Sequence, residues 1–143
     1  MCQDYHVRIV NWEEEAPAVR SIRTTVFIHE QRVPVELEWD EFDVTSMHLL
    51  VFNMQGKPVG TARLLPDGHI GRMAVLKEWR GKGYGSAILK RILDELRNHH
   101  IQKAMLNAQI TAVKFYEKFG FQVSGEAFIE AGIPHVKMIS FLE

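Results

Sequence analysis

Cysteine is all but absent from this 143-residue sequence: Cys2 is the single one, so no disulfide can close within the chain, and a reducing compartment such as the cytoplasm is expected. Long apolar runs are missing too. Leu49–Phe52 and Met73–Leu76 are only four residues each, against the roughly 20 that a membrane-spanning helix needs, so an integral helical membrane protein is excluded. The first fifteen residues hold Asp4, Arg8 and three glutamates with no apolar stretch, and no secretory leader is expected there. Excess positive charge is lacking as well. A net charge of −1 leaves little to meet a nucleic-acid backbone. No Gly-Lys-Ser/Thr occurs, which rules out a Walker phosphate loop and nucleotide hydrolysis through one. What is present, 46% hydrophobic and 24% charged residues without repeats or low-complexity linkers, fits one core and one domain over residues 1–143.

Charge is divided along the chain. Residues 1–60 carry ten Asp/Glu and five Lys/Arg and residues 61–143 eight and twelve, so a half of net −5 meets a half of net +4. Such a division suits a protein that binds a cation with one half and an anion with the other, and it also arises by chance in a short chain. The acidic extreme is Glu36–Asp43, with five carboxylates and no basic residue.

Tyr5–Val10 alternates like a half-buried strand, while Val19, Ile22, Val26 and Phe27 recur at helical spacing. With Pro17 in its first turn, a helix is predicted over Ala16–Glu30, and Glu36–Asp43 reads as a loop or short helix. His48–Asn53, Val59–Leu65 and His69–Leu76 form a predicted antiparallel meander turning at Gln55-Gly56-Lys57 and Pro66-Asp67-Gly68. Ile88, Leu89, Ile92, Leu93 and Leu96 then mark an amphipathic helix ending near His99-His100. A strand over Lys103–Ala108, a helix over Thr111–Phe119 stopped by Gly120, and closing strands over Phe121–Phe128 and His135–Leu142 complete an α/β domain with an α+β mixed sheet.

Ahead of the amphipathic helix lies Arg80-Gly81-Lys82-Gly83-Tyr84-Gly85-Ser86. Alternate glycines let amide N–H groups turn inward as an anion nest, and the helix N-terminus, Arg80 and Lys82 add positive charge. A phosphate or pyrophosphate suits it, although three glycines also make a tight strand-to-helix turn. A dinucleotide fingerprint is not met, because the spacing is Gly81-x-Gly83-x-Gly85 and the loop follows a meander. The pattern Arg80-x-x-Gly83-x-Gly85 resembles the acyl-CoA motif of the GNAT superfamily of N-acetyltransferases. Independently, Leu106-Asn107-Ala108-Gln109 followed by Phe115-Tyr116-x-x-x-Gly120-Phe121 is similar to that family's fifth strand and fourth helix. Val26-Phe27-x-x-Glu30-Gln31-x-Val33-Pro34, with Gly132-Ile133-Pro134-His135, resembles a bacterial ElaA-like subgroup.

The resemblance implies a GNAT-like fold, a mostly antiparallel twisted sheet flanked by helices. It implies transfer of an acetyl group from acetyl-CoA, without a metal, to a primary amine of a small molecule or peptide by direct attack. Nucleic-acid and membrane partners are not implied, a homodimer is left open, and the alternative is a catalytically weak CoA-binding sensor or partner module. By resemblance, Arg80, Gly81, Lys82, Gly83, Tyr84, Gly85 and Ser86 surround the CoA pyrophosphate, and main chain of Met73, Ala74 and Val75 pairs with the pantetheine arm. Phe115 and Lys118 flank the adenosine end. Asn107 is either a cofactor contact or a polar strand end. Tyr116 is a core aromatic by pattern; by resemblance it is the general acid that protonates the leaving thiolate. A glutamate that several members place on the fourth strand as base is missing from Ile70–Val75. Glu30, Asp40, Asp43, His48 and His135 are the candidates for that role, and each also reads as a solvated or structural residue. Arg63 and Arg72 would grip an anionic group of the acceptor or pair with the acidic run; Asp40, Asp43 and His135 complete the expected acceptor side. An unpaired acidic run would gather a polyamine, amino sugar or lysine, with an attraction that salt screens.

Overall fold

Alternation along the second strand demands a sheet covered on both sides. In β2 (Met47–Asn53), Leu49 and Val51 join one buried cluster and Leu50, between them, the other. The computed structural model, which describes residues 5–142, meets this demand with two helices. On one face α1 (Trp12–Arg23) packs Val19 and Ile22 with Leu50 and Ala74. On the other, α4 (Tyr84–Asn98) packs Ile88, Leu89, Ile92, Leu93 and Leu96 with Leu49, Val51 and Val59. Each such aliphatic side chain contributes about 1.5–3 kcal/mol. Ile92→Ala, leaving a void under α4, would cost about 2–5 kcal/mol.

The sheet also contains β1 (Tyr5–Val10), β3 (Pro58–Leu64), β4 (His69–Val75), β5 (Lys103–Gln109), β6 (Gln122–Val123), β7 (Phe128–Glu130) and β8 (Ile133–Phe141). Their order is β1-β2-β3-β4-β5-β8-β6, with β7 on β8, and every pairing is antiparallel except β4 with β5. This is the helix-flanked, mostly antiparallel mixed sheet expected of the chain. Three short helices, α2 (Val35–Glu38), α3 (Phe42–Thr45) and α5 (Val113–Glu117), sit at its connections.

Two irregularities open the sheet. Between β3 and β4 the register shifts, from Thr61↔Ala74 to Arg63↔Gly71, so β4 carries one extra residue there, and Arg72 has φ 48°. Beyond that bulge β4 leaves β5: only His69↔Met105 and Ile70↔Leu106 pair, although the strands run on to Val75 and Gln109. The two strands diverge into a cleft of about 620 Å³.

Some boundaries differ from the sequence reading. The first helix starts at Trp12, not Ala16, because Asn11 caps it by accepting from the Glu13 amide at 2.8 Å and Glu13, Glu14 and Glu15 suit its N-terminal dipole. Pro17 therefore lies inside the helix, on its exposed side. From Thr24 to Glu30 the helix continues in π form. Of the region expected as one strand over Phe121–Phe128, only Gln122–Val123 pairs as β6, while β7 starts at Phe128 and β8 at Ile133. The hairpin turn before it is Ala131-Gly132, both at positive φ, 52° and 79°.

Candidate active site

The glycine loop lies beyond the C-terminal end of β4, the strand that contributes Met73 to the cleft lining. Gly81 and Gly83 have φ 75° and 91°, a left-handed conformation that a Cβ would strain, and the space where each Cβ would stand is empty to 4 Å. Gly83 is the N-cap of α4, and no side chain caps that end. The first-turn amides of a helix have no intrahelical acceptor, so Gly85 and Ser86 present theirs at the positive end of a 15-residue dipole. Lys82 is exposed beside them. This is a fit for a pyrophosphate: open backbone, free helix-end amides and a cation. Phe115 Cζ lies 3.6 Å from where a Gly85 Cβ would be, so α5 borders the loop, while Lys118 stands exposed at the end of that helix. Tyr84 is buried, edge-on to Trp79.

Arg80 does something other than expected. Its Nη1 and Nη2 donate to both carboxylate oxygens of Glu30 at 2.7 Å, and its Nε donates to the Val75 carbonyl at 2.8 Å. The guanidinium is thus engaged with protein, and Lys82 is the side chain left to face phosphate. Glu30, proposed as a base, is corrected by the same pairing: the Arg80 hydrogen bond holds its carboxyl below the usual range. It braces the loop against the π-helical segment.

Tyr116 lies on the cleft wall. Its hydroxyl points at Met73 Sδ on β4, 3.5 Å away, and its ring packs edge-on against Phe115 and Phe121. Burial pushes the phenol up to about 12, so it stays protonated. Opposite it, His135 of β8 is 6% exposed and lines the same cleft. The Ile133 carbonyl can only accept, so His135 Nδ1 donates to it at 2.7 Å and fixes the tautomer. Its Nε2 is then the proton-accepting nitrogen, 3.7 Å from Glu130 Oε2. Glu130 also accepts from Asn107 Nδ2 at 3.4 Å, which ties the exposed Asn107 into the same group. Across the mouth Gln109 Nε2 donates to Gln31 Oε1 at 2.8 Å. Among the described residues, none that lines the cleft is Ser, Thr or Cys. Cys2 lies outside the described residues.

The acidic run is not an open attractor. Arg23, 0% exposed, donates from Nε to Glu38 Oε2 and from Nη1 to Asp43 Oδ1, both at 2.7 Å, and lies over the Trp39 ring. Arg63 Nη1 reaches Asp40 Oδ1 at 2.7 Å and Asp43 Oδ1 at 3.0 Å. Arg72 donates to the Glu38 and Leu37 carbonyls and to Asp40 Oδ2, each at 3.2 Å. Three guanidinium groups thus balance three carboxylates, and only Glu36 and Glu41 of the run are exposed carboxylates. Burial raises Glu38. Asp43 is held low because its two arginines outweigh its burial.

The unpaired run is therefore corrected, and Asp43, buried and off the cleft, is corrected as a substrate contact; Asp40, Arg63 and Arg72 do line the cleft. His48 is corrected as well. It lies 1% exposed beneath Trp12, with Nε2 donating to the Asp43 carbonyl at 2.6 Å, and burial holds it neutral. The charge asymmetry between halves resolves into pairs between them: Glu30 with Arg80, Asp40 with Arg63, Glu38 with Arg72.

Glu130 and Arg23 escaped the sequence reading. Arg23 had a signal, a cation on the same helical face as Val19, Ile22 and Val26, all buried. Glu130 had none, because its approach to His135 depends on the Ala131-Gly132 turn.

Comparison with known proteins gives the family. Residues 13–141 match the family described as Acetyltransferase (GNAT) domain. The uncharacterized N-acetyltransferase YjcF of Bacillus subtilis (strain 168) is 39% identical over 131 residues, covering 89% of this chain and 93% of that protein. Protein ElaA of Escherichia coli (strain K12) is 30% identical over 129 residues, 85% of this chain and 84% of its own. The crystal structure of E. coli ElaA superposes with TM-score 0.84 at 27% identity, over 95% of this chain and 99% of that one. An acyl-CoA N-acyltransferase from Pseudomonas aeruginosa superposes with TM-score 0.82 at 28% identity, over 96% and 98%. The motifs, the diverging strands and these matches agree: the chain belongs to the GNAT acetyltransferase family.

Proposed function

We propose that the protein is an acetyl-CoA-dependent N-acetyltransferase that modifies a primary amine by direct transfer. The observation that carries this reading is the β4–β5 divergence, with an uncapped glycine loop at one end and a protonated tyrosine and a tautomer-fixed histidine on its walls. Acetyl-CoA supplies an acyl group activated as a thioester; the amine nitrogen forms the new C–N bond as the C–S bond breaks, and the second proton it sheds in becoming an amide passes to the departing thiolate.

Amides of the Gly81–Ser86 loop and Lys82 hold the diphosphate, and β4 main chain at Met73 and Ala74 aligns the arm, the Val75 carbonyl being occupied by Arg80. Tyr116 donates a hydrogen bond to the departing sulfur. Complete proton transfer from a phenol near 12 to a thiolate with the pKa of an alkyl thiol, ~8.5, is uphill by about 5 kcal/mol, so its contribution is stabilisation of charge. An alkylammonium with a pKa near ~10.4 must lose a proton before it attacks, and His135 Nε2, steadied by Glu130, takes it. That assignment fills the place of the carboxylate missing from β4. The single cysteine and a CoA donor suit a reducing, CoA-rich compartment such as the cytoplasm.

The test is release of free thiol from acetyl-CoA with a panel of primary amines, and mass spectrometry of the product. An amine-dependent release, reduced at least about 100-fold in His135→Gln with acetyl-CoA affinity retained, is the expected result. Binding of acetyl-CoA with no amine-dependent release would make the chain a cofactor-binding module instead.

A further inference from the structure

The acceptor half of the cleft carries information about what the amine is attached to. Its charges cancel internally. Arg63, Arg72 and Asp40 on its wall are bonded to one another or to the buried Glu38 and Asp43, which lie with Arg23. One carboxylate on the wall lacks a guanidinium: Glu130, which accepts from Asn107 and lies 3.7 Å from His135 Nε2. A single ammonium group is what such a wall receives. A polyamine would set its further charges against neutralised pairs, with little attraction to offset their desolvation.

Beside the Gln31–Gln109 pair the mouth carries an apolar patch. Leu37 and Phe42 line the cleft yet are 54% and 46% exposed, and Phe27, Val33 and Ile133 continue the same surface. Large apolar side chains scattered singly on a surface need no explanation, but these stand together at the mouth of one cleft. They are also held there. Leu37 and Phe42 flank the segment that Arg23, Arg63 and Arg72 fasten to the sheet, and the Leu37 carbonyl itself accepts from Arg72 at 3.2 Å. A buried polar brace thus keeps two apolar side chains facing solvent beside the acyl-transfer site.

We infer that the acceptor is a primary monoamine with an apolar body, an arylalkyl or branched-alkyl amine, its ammonium at Glu130 and His135 and its body against Leu37 and Phe42. This rests on the acetyltransferase reading above. Polyhydroxylated amino sugars would leave hydroxyls facing aliphatic carbon, and a substrate drawn by long-range charge would need a field that the paired cluster does not provide.

The experiment measures initial thiol release at saturating acetyl-CoA with 2-phenylethylamine, 3-methylbutylamine, spermidine, glucosamine and a lysine-containing peptide, at about 0.05 and about 0.5 M salt. The two apolar amines should exceed the others at least about tenfold in kcat/KM, with an acceptor KM that moves less than about twofold with salt. Leu37→Asn and Phe42→Asn, both at exposed positions, should keep the melting temperature and the KM for acetyl-CoA, and each should raise the KM for 2-phenylethylamine roughly tenfold. Spermidine, glucosamine or the peptide matching or exceeding the apolar amines would overturn the inference and leave the acetyltransferase reading intact; so would an unchanged acceptor KM in both variants. No release with any amine, while calorimetry shows acetyl-CoA bound, would remove the reading itself and the inference with it.

Discussion

Asp43→Asn separates the two roles open to the acidic run, attracting a cationic substrate or fastening the chain. Asp43 is 4% exposed and accepts from Arg23 at 2.7 Å and Arg63 at 3.0 Å through one oxygen. The amide removes the charge, and one of its rotamers turns an NH₂ toward two guanidinium groups. Three buried or half-buried arginines are left facing Glu38 and Asp40 alone. Breaking one partner of a buried pair costs about 3–5 kcal/mol, a large part of a total that is typically about 5–15. For a chain of this length that is a melting temperature lower by roughly 10 °C or more. Urea and thermal unfolding followed by circular dichroism measure it, with exposed Glu41→Gln as a control expected to stay within about 0.5 kcal/mol. Acceptor KM, measured where the variant is folded, should be indifferent to salt in both proteins. An Asp43→Asn protein as stable as the wild type, with an acceptor KM raised and newly salt-dependent, would refute the fastening role and restore the run as a substrate attractor.

Tyr116→Phe removes one donor aimed at developing charge and should lower kcat about 10² to 10³-fold with little change in the Kd for CoA. Because the hydroxyl titrates at about 12, the wild-type rate should show no alkaline fall from this group below pH ~10, which a pH–rate profile checks. Gly83→Val forces a β-branched residue to φ 91° in open space, so calorimetry should find CoA affinity reduced at least about tenfold while α4 and the fold persist; unchanged affinity in a folded protein would make the loop only a turn. Burial lowers His48 from its ordinary 6.5, so the stability it contributes is complete above pH 6.5 and declines as pH falls through that value. The slope of urea midpoint against pH between about 7 and 5 should flatten in His48→Gln.

Much of the fold is legible in the sequence. The amphipathic stripe Ile88–Leu96 is the buried face of α4, and the three-strand meander has its expected turns because those signals act over a few residues. The glycine loop was equally legible, since backbone that must adopt positive φ leaves glycine in the sequence. What stayed hidden is set by pairing across the chain. Glu36–Asp43 reads as solvated charge unless its arginines, 15 to 35 residues away, are known to fold over it. His48 and His135 look alike in the sequence, one ending in the core and the other on the cleft wall. The bulge puts its positive φ on Arg72 and not on the neighbouring Gly71, so the glycine marks the region but not the residue that turns.

That bulge bears on why the cluster is ionic at all. Replacing a buried set of ion pairs by well-packed apolar side chains is often neutral or stabilising, so stability alone does not account for three arginines here. Direction does. The Glu38 carbonyl at the end of α2 accepts from both Arg23 at 2.8 Å and Arg72 at 3.2 Å, and the neighbouring Leu37 carbonyl accepts from Arg72 as well. Arg72 is itself the residue at φ 48° in the β4 bulge. The irregularity that turns β4 away from β5, and the segment that walls the resulting cleft, are therefore joined through one forked side chain. An apolar residue could fill that volume but could not hold two carbonyls and Asp40 at once, and a lysine would keep the charge while losing the planar fork. The placement of Leu37 at the cleft mouth and the bulge in β4 are thus joined by the same three hydrogen bonds, so a change at Arg72 reaches both.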